Sequence, residues 1–367
     1  MNFDLSDDAK TLREAARKFL EAEAGPAKAR AVMDGEAPHD AALWAEVVAQ
    51  GWPAARVPEA LGGLGLGTDE ACVLAEETGR SLAPVPLLST MEAIEALLLA
   101  GTPAQQEAWL PRLASGAAIG VVAWGEGDAK SPAQMPGARL EGGRLTGVKT
   151  PVQDGLSAGL AVVTVASADG PAMALVDLSA PGVLRTAAPA LDLVRKSARL
   201  VFEGAPAEPL GTAADWVRLS ERLAVLRAFE AIGTAEAAMR MTIAYAQDRQ
   251  AFGLRIGRYQ AVKHRLADMY IKGELARAHA MHGCWAWGSG ADELAQAAAA
   301  ARVASLDALT FAAEESLQLH GGIGFTWEHD CQLYYRRARA LSAQLGSRAH
   351  WADRLVRALE QRNRAAA

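Results

Sequence analysis

Apolar residues recur at helical spacing through the first third of the chain. Leu12, Ala16 and Phe19 lie on one face of a predicted helix, and Ser6, followed by two acids, can cap its start. Clusters of glycine and proline interrupt the periodicity further on. They predict turns rather than a nucleotide-binding loop, because no strand precedes them. The pattern predicts a helical domain over residues 1–115.

The middle of the chain consists of short β-rich runs separated by Gly, Pro, Asp and Ser. These runs predict a small β-barrel domain over residues 116–211. Helical periodicity returns from residue 212 to 367, broken at 253–259, 288–290 and 320–324, and predicts a C-terminal four-helix bundle. The expected fold is therefore mostly α, with a β domain between two helical domains.

Composition and charge exclude several kinds of protein. The 367 residues are 51% hydrophobic and carry a formal net charge of −6 with no basic stripe, which predicts a folded protein that does not bind nucleic acid. The N-terminus lacks a secretory signal and no apolar run is long enough to span a bilayer, so a cytoplasmic protein without membrane attachment is expected. The three cysteines lack metal-ligand spacing; they are predicted to be buried thiols, and no metal site is predicted.

Two patches in the C-terminal half combine positive charge, amides and glycines. The first reads YAQDRQAFG from Tyr245, with QAVKHRLADM following from Gln260, and the second reads QLHGGIGF over residues 318–325. An arginine and glycine turns offer the charge and the close backbone approach that a pyrophosphate needs. Residue types alone leave two alternatives open: a surface salt bridge of Arg249, and a helix C-cap at Gly321.

These patches resemble the R-x-x-F-G, Q-x-x-x-x-x-L-A-x-M and Q-x-x-G-G-x-G-aromatic motifs of the flavin-dependent acyl-CoA dehydrogenases. The resemblance covers nearly the whole chain, because a weaker patch at residues 58–65 precedes the others in the right order. It implies FAD as cofactor, an acyl-CoA thioester as substrate, an electron-transfer flavoprotein as acceptor, and a homo- or hetero-oligomer, a dimer or tetramer. By resemblance, the adenosine and pyrophosphate half of a flavin whose ring lies in the neighbouring subunit is held by Arg249, Phe252, Gln260, Gln318, Gly321 and Gly322.

The departures from the family pattern all belong to the flavin-ring side. Few residues of the family's T-E-P-G-x-G-S-D motif are retained at residues 123–132. In the segment that corresponds to the family's G-x-K-x-W-I-T-N motif, Pro151 and Gln153 replace the Trp and the Thr. Gln153 is a candidate donor to the flavin edge, with a plain hairpin loop as the alternative. The usual catalytic Glu of an E-G-T motif is replaced by Leu345, and the alternative base position on the first bundle helix holds Leu223.

Glu230 is the candidate general base that remains. It lies on the apolar stripe of Leu219, Leu223 and Leu226, where burial is expected to raise the pKa of its carboxyl toward a range useful for catalysis. The alternative is an ion pair with Arg227, three residues earlier on the same helix.

Two functions fit this pattern of retained and lost motifs. The first is an acyl-CoA dehydrogenase, in which a carboxylate removes the α-proton of the thioester while a hydride leaves the β-carbon for the flavin. The second is a non-catalytic companion subunit of a hetero-oligomeric acyl-CoA dehydrogenase. Such a subunit keeps the adenosine-side motifs that its neighbour needs and has lost the ring-side motifs of its own.

Overall fold

The computed structural model describes residues 4–127 and 131–365. Its N-terminal part is helical, and the helices are α1 Asp7–Glu23, α2 Pro26–Asp34, α3 Ala41–Ala49, α4 Thr68–Ser81, α5 Leu87–Ala100 and α6 Pro103–Ala114. The Oγ atom of Ser6 accepts a hydrogen bond from the backbone N–H of Ala9 at 3.0 Å. The predicted cap of α1 is therefore confirmed.

Two four-stranded sheets follow the helices. Their strands are β1 Gly120–Ala123, β2 Arg139–Glu141, β3 Arg144–Gln153, β4 Leu160–Ser167, β5 Gly170–Asp177, β6 Val183–Ala188, β7 Ser197–Pro206 and β8 Glu208–Leu210. The sheet orders are β1-β4-β5-β8 and β2-β3-β7-β6, with β1 and β4 parallel and the other pairs antiparallel. Leu145 and Phe202 of one sheet share a core with Val163 and Leu175 of the other.

The predicted β-barrel is wrong in one respect, because the two sheets do not close on each other. Within the described ranges the sheets meet only at an isolated parallel bridge between Glu126, just after β1, and Thr150 of β3, and no pair of strands joins one sheet to the other. The outer strands β2 and β8 have only three residues each. Such short edges resist further pairing and cannot carry a ladder around a closed barrel.

The C-terminal part is helical, as expected. It contains α7 Ala213–Asp248, α8 Gln260–Ser289, α9 Leu294–His320, α10 Cys331–Ala343 and α11 Arg348–Ala365, with a hairpin of β9 Gln250–Ala251 and β10 Leu254–Arg255 between α7 and α8. Thr212 caps α7 in a reciprocal pair with Asp215. All three cysteines are buried thiols, as predicted. No helix in the part of the chain that the structure describes is both long and apolar enough to cross a membrane.

Two glycines fix the crossing of α4 and α7. A Cβ added at Gly79 would lie 2.3 Å from the backbone oxygen of Glu230, and one added at Gly233 would lie 2.0 Å from the backbone oxygen of Glu76. The helices can approach this closely only because both positions lack a side chain. The crossing holds the centre of α7, with Glu230, rigidly against the N-terminal helices.

Candidate active site

The two glycine-containing motifs of the sequence meet at one end of the helical bundle. Tyr245, in the last turn of α7, stacks on the ring of His320 with centroids 4.2 Å apart, and its hydroxyl donates to the backbone carbonyl of His320 at 3.3 Å. His320 is the last residue of α9. The residues that follow the two helices, Arg249 and Gly321, therefore lie at the same end of the bundle.

Phe252 lies at the tip of the hairpin that follows α7. Because Ala251 pairs with Leu254, Phe252 and Gly253 form a two-residue turn. Both have positive φ, +52° and +78°, as the tightest hairpin turns require. This conformation is strained for a bulky residue, and the Phe252 side chain is 98% exposed. An aromatic ring held in water at a strained position indicates a surface made for a ligand or a neighbouring chain.

Arg249, Gln260 and Gln318 are exposed at this end of the bundle. Across residues 4–127 and 131–365, the Arg249 side chain forms no salt bridge or hydrogen bond, so the surface ion pair that the sequence left open is not present. Gly321 caps the C-terminus of α9, with φ +65°, so the helix C-cap that the sequence left open as an alternative is present. A Cβ at Gly321 or Gly322 would meet nothing within 4 Å, so the backbone of this turn is open to a ligand.

A groove of about 510 Å³ adjoins this surface along the hairpin and the turn before α8. Its charged lining residues are Arg255 and Arg258, and none of the described residues that line it is acidic. An unpaired arginine, exposed amides and open glycine backbone are donors that suit a pyrophosphate. These residues therefore fit the adenosine and pyrophosphate half of FAD, which Arg249, Gln260 and the glycines would hold.

The segments that depart from the family pattern also converge, at a second place in the fold. Trp124, Pro151, Gln153, Leu223 and Leu345 all line one cavity between the β domain, α7 and the loop before α11. Its volume is about 60 Å³. Pockets that bury a drug-sized ligand measure about 300–1,000 Å³. The residues present therefore do not fit a flavin ring here.

Polar side chains occupy the space beside this cavity. Nη1 of Arg227 donates to Oε1 of Gln153 at 3.1 Å and to Oε1 of Gln344 at 2.7 Å, and Nε2 of Gln344 donates to the same oxygen of Gln153 at 2.7 Å. The guanidinium of Arg227 also pairs with Glu92, with Nη2 and Oε2 2.7 Å apart. The carbonyl of Gln153 is thus engaged inside the chain, and its predicted donor role toward a flavin remains a prediction.

The two positions where the family carries its catalytic base are occupied by Leu223 and Leu345, and both line this cavity. Leu345 has φ +56°, and its carbonyl accepts a hydrogen bond from Nε1 of Trp351 at 2.8 Å. Of the described residues that line the cavity, only Glu92 carries a carboxylate, and Arg227 holds it in an ion pair. The cavity offers no free carboxylate to accept a proton.

Glu230 is fully buried and pairs with three guanidinium groups. Its carboxylate lies 3.0 Å from Arg195, 3.2 Å from Arg227 and 3.4 Å from Arg337. Burial alone raises the pKa of Glu230, but the positive charges of these arginines outweigh it and hold the pKa below its ordinary value. The expected rise in pKa is therefore wrong, and the alternative ion pair with Arg227 is present.

These arginines belong to a larger buried network that sequence reasoning missed. Arg195 also pairs with Asp154 at 2.7 Å, and Arg337 pairs with Asp192. Arg302 is buried beside them, and its pKa falls to about 9, first through burial and then through the nearby charge of Arg227. The only signal in the sequence was a set of acids on otherwise apolar helices, such as Glu92 on α5, and that pattern is normally a solvated helix face.

Comparison with known proteins agrees with this geometry. Residues 6–117 match the model of the acyl-CoA dehydrogenase N-terminal domain, and residues 216–359 match that of the C-terminal domain. The chain is 36% identical to the acyl-CoA dehydrogenase IpdE2 of Mycobacterium tuberculosis over 92% of its own length and 93% of that protein.

Two solved structures give the same picture at the level of the fold. A variant of the Tcur3481-Tcur3483 steroid ACAD superposes with a TM-score of 0.91 at 31% identity, covering 98% of this chain and 99% of that one. The ChsE4-ChsE5 complex from Mycobacterium tuberculosis gives a TM-score of 0.90 at 29% identity, again covering 98% and 99%.

These matches confirm the family that the sequence motifs indicated. The family's cofactor is FAD, and its reaction introduces a Cα–Cβ double bond into an acyl-CoA thioester. The chain belongs to the acyl-CoA dehydrogenase family.

Proposed function

We propose that this chain serves acyl-CoA dehydrogenation as a companion subunit that completes the FAD site of a different chain. One observation carries the proposal: the chain's own ring-side cavity has a volume of about 60 Å³, and leucines occupy both base positions there. The adenosine-side surface, in contrast, keeps the donors that a neighbour's FAD requires. The neighbouring chain then supplies the flavin-ring pocket and the catalytic carboxylate.

In this role the residues of the chain bind and orient. Arg249 neutralises pyrophosphate charge, Gln260 and Gln318 donate hydrogen bonds, and the turn at Gly321 lets the phosphates approach the backbone. When bound, FAD supplies the hydride-accepting chemistry of the reaction. Phe252 covers the cofactor from the hairpin tip. The substrate is an acyl-CoA thioester, and an electron-transfer flavoprotein remains the predicted acceptor.

The relatives are consistent with an active site assembled from two different chains. Two of the structural matches are described as assemblies of two differently named proteins, Tcur3481-Tcur3483 and ChsE4-ChsE5. A chain that functions only beside a second, homologous chain can lose its own ring pocket while the pair keeps its activity. This supports a hetero-oligomer of this chain with a catalytic homologue.

The second candidate is a homo-oligomeric dehydrogenase that is active without a different partner. Relatives that carry the enzyme's name individually, such as IpdE2, favour it. It requires a base within this chain, and Glu230 or Glu92 would first have to leave its arginine partners. It also requires the ring-side cavity to open, because Arg227, Gln153 and Gln344 fill its wall.

The isolated full-length chain separates the two candidates. It is purified after supplementation with FAD, and its flavin content and its mass by light scattering are measured. The companion role predicts little or no bound FAD when this chain is alone, and one FAD per pair of chains in a two-chain complex. A homo-oligomer with one FAD per chain that acyl-CoA bleaches under anaerobic conditions would overturn it.

Arg249→Ala tests the adenosine-side contribution in whichever preparation holds FAD. Arg357→Ala is the matched control, since Arg357 is an exposed arginine on α11 that pairs with Asp353 one turn away. The expected result is lower FAD occupancy in Arg249→Ala, with an unchanged circular dichroism spectrum, and full occupancy in the control. Equal FAD content in the two variants would refute the assignment.

A further inference from the structure

Three side chains with metal-binding atoms converge where α9 ends and α10 begins. One ligand atom from each of His320, His329 and Cys331 lies within 4.8 Å of the others. The spacing of these residues in the sequence matches no familiar metal motif, and none was predicted. We propose that they form a binding site for a transition-metal ion, with Zn²⁺ as the preferred ion.

His320 is prepared for this role by its hydrogen bonds. It is 3% exposed, and its Nδ1 atom lies 2.7 Å from the backbone carbonyl of Ser316, so Nδ1 carries the proton and donates it. Its Nε2 atom therefore presents a lone pair, and that atom is buried with no partner among the described residues. A histidine that ligates a metal ordinarily donates its other N–H to a carbonyl or carboxylate in this way. A buried acceptor left unpaired requires such an explanation.

The other two ligands come from the short segment that leads into α10. Cys331 is the first residue of that helix and is fully buried, with its Sγ atom 3.5 Å from Oγ of Ser316. His329 is half-buried, and its ring centroid lies 4.6 Å from that of His320. Nδ1 of His329 accepts a hydrogen bond from the backbone N–H of Cys331 at 3.2 Å. On metal binding, this ring contributes one of its two nitrogens to the ion.

The distances allow a tetrahedral site after a small movement. Zinc lies about 2.0–2.1 Å from a histidine nitrogen and about 2.3 Å from a cysteine sulfur, so neighbouring ligand atoms in a tetrahedron are about 3.4–3.6 Å apart. The present limit of 4.8 Å exceeds that separation by little more than about 1 Å. Rotation of the half-buried His329 ring supplies this movement, while stacking on Tyr245 fixes His320.

The ligand set selects the class of metal. Two imidazoles and a thiolate suit zinc and its neighbours in the first transition row, whereas Mg²⁺ and Ca²⁺ take oxygen ligands. Asp330, between the ligands in the sequence, pairs with Arg30 at 2.9 Å. Water fills the fourth position, and the thiol proton of Cys331 passes to solvent when the metal binds. The inference does not depend on the companion role, because it uses none of the ring-side residues.

Metal titrations of the full-length chain test the site. Co²⁺ is the spectroscopic probe, because a tetrahedral cobalt ion with a thiolate ligand gives a sulfur-to-metal absorption band, and Zn²⁺ affinity is measured by competition with a chromophoric chelator. The test variants are His320→Ala, Cys331→Ser and His329→Gln. The control variants are His264→Ala, which changes an exposed histidine, and Cys72→Ala, which changes a buried thiol in another helix.

The expected result is one metal ion per chain with a thiolate band that Zn²⁺ displaces. Each test variant should bind Zn²⁺ more than about 100-fold more weakly, since even outer-shell changes reduce affinity about 10–100-fold. Both controls should bind like the parent. Circular dichroism identifies a variant that fails to fold, and His329→Gln, at a half-buried position, then decides the outcome. Absence of the thiolate band in the parent, or Zn²⁺ binding that survives His329→Gln, would overturn the inference.

Discussion

Replacing Glu230 with glutamine distinguishes a structural carboxylate from a catalytic base. The change removes one negative charge from a site with three guanidinium groups within 3.4 Å, at a fully buried position. Removing one partner of a buried ion pair destabilises a protein by about 3–5 kcal/mol, because the remaining charge is left uncompensated. With about 2.1 cal/mol/K of unfolding entropy per residue, this lowers the Tm of a chain of about 370 residues by about 4–6 °C.

Glu314→Gln is the matched control. Glu314 pairs with Arg339 at the surface, and an exposed pair contributes only about 0–1 kcal/mol. Differential scanning calorimetry of parent and variants at equal concentration and fixed FAD content gives the comparison. A Tm of Glu230→Gln within about 1 °C of the control would refute the structural role.

The pH dependence adds an independent check on the same carboxylate. Its pKa in the folded chain lies below its ordinary value, so its contribution to stability is complete above the unfolded pKa of about 4.3 and is lost as the pH falls through the folded pKa. The difference between parent and Glu230→Gln should therefore be full at pH 7 and shrink below about pH 4. A catalytic base would give the opposite pattern: unchanged stability, and flavin reduction slowed by about two to four orders of magnitude.

Three further results follow from single contacts. Trp351→Phe leaves the buried carbonyl of Leu345 without its donor and should lower the free energy of unfolding by about 1–3 kcal/mol; an unchanged denaturation midpoint would contradict this. Burial lowers the pKa of Lys149 to about 8 in the folded chain, below its unfolded value. The free energy of unfolding of the parent should therefore rise from pH 8 toward pH 10, and this rise should be absent in Lys149→Met. A parent whose free energy of unfolding falls over that range would contradict the lowered pKa. Leu345→Glu should not make the chain active alone, because Arg227 still fills the cavity wall; anaerobic flavin bleaching by acyl-CoA in that variant would show otherwise.

Most of the architecture could be predicted from periodicity, because long amphipathic helices and short β-rich runs leave strong local signals. The helical parts and the cap at Ser6 are confirmed. The closed barrel was wrong because closure depends on how the edge strands pair, and strands as short as β2 and β8 carry no signal of their partners. The placement of domain boundaries at residues 115 and 211 stays a prediction, although helix gives way to strand between Ala114 and Gly120.

The sequence predicted that the segments departing from the family pattern belong together, and they do line one cavity, but it did not predict the charges beside that cavity. Leu223, Gln153 and Leu345 line one cavity, although they are far apart in the chain. The pKa of Glu230 was predicted in the wrong direction because two of its partners, Arg195 and Arg337, come from a β-domain loop and from α10. Periodicity along α7 reveals its apolar stripe but not the charges that other elements bring to it.

The metal-binding cluster was invisible for a related reason. His320 is the last residue of α9, whereas His329 and Cys331 follow the 3-10 helix Gly321–Phe325 and lie at the start of α10. Only the packing of Tyr245 on His320 and the path of that turn bring the three side chains together. Spacing rules recognise sites built on one short loop, and this cluster is not of that kind.

The exposed rings at the end of the bundle affect how the chain survives before assembly. Phe252 and Phe325 are 98% and 71% exposed, and Leu254 and Ile323 are 43% and 47% exposed. Exposed apolar side chains of this kind promote aggregation and engage the cell's quality-control machinery. A copy made in excess of whatever covers these rings is therefore expected to be held by chaperones or degraded. Under the proposed companion role, the strained hairpin tip therefore couples the abundance of this chain to the supply of its partner subunit.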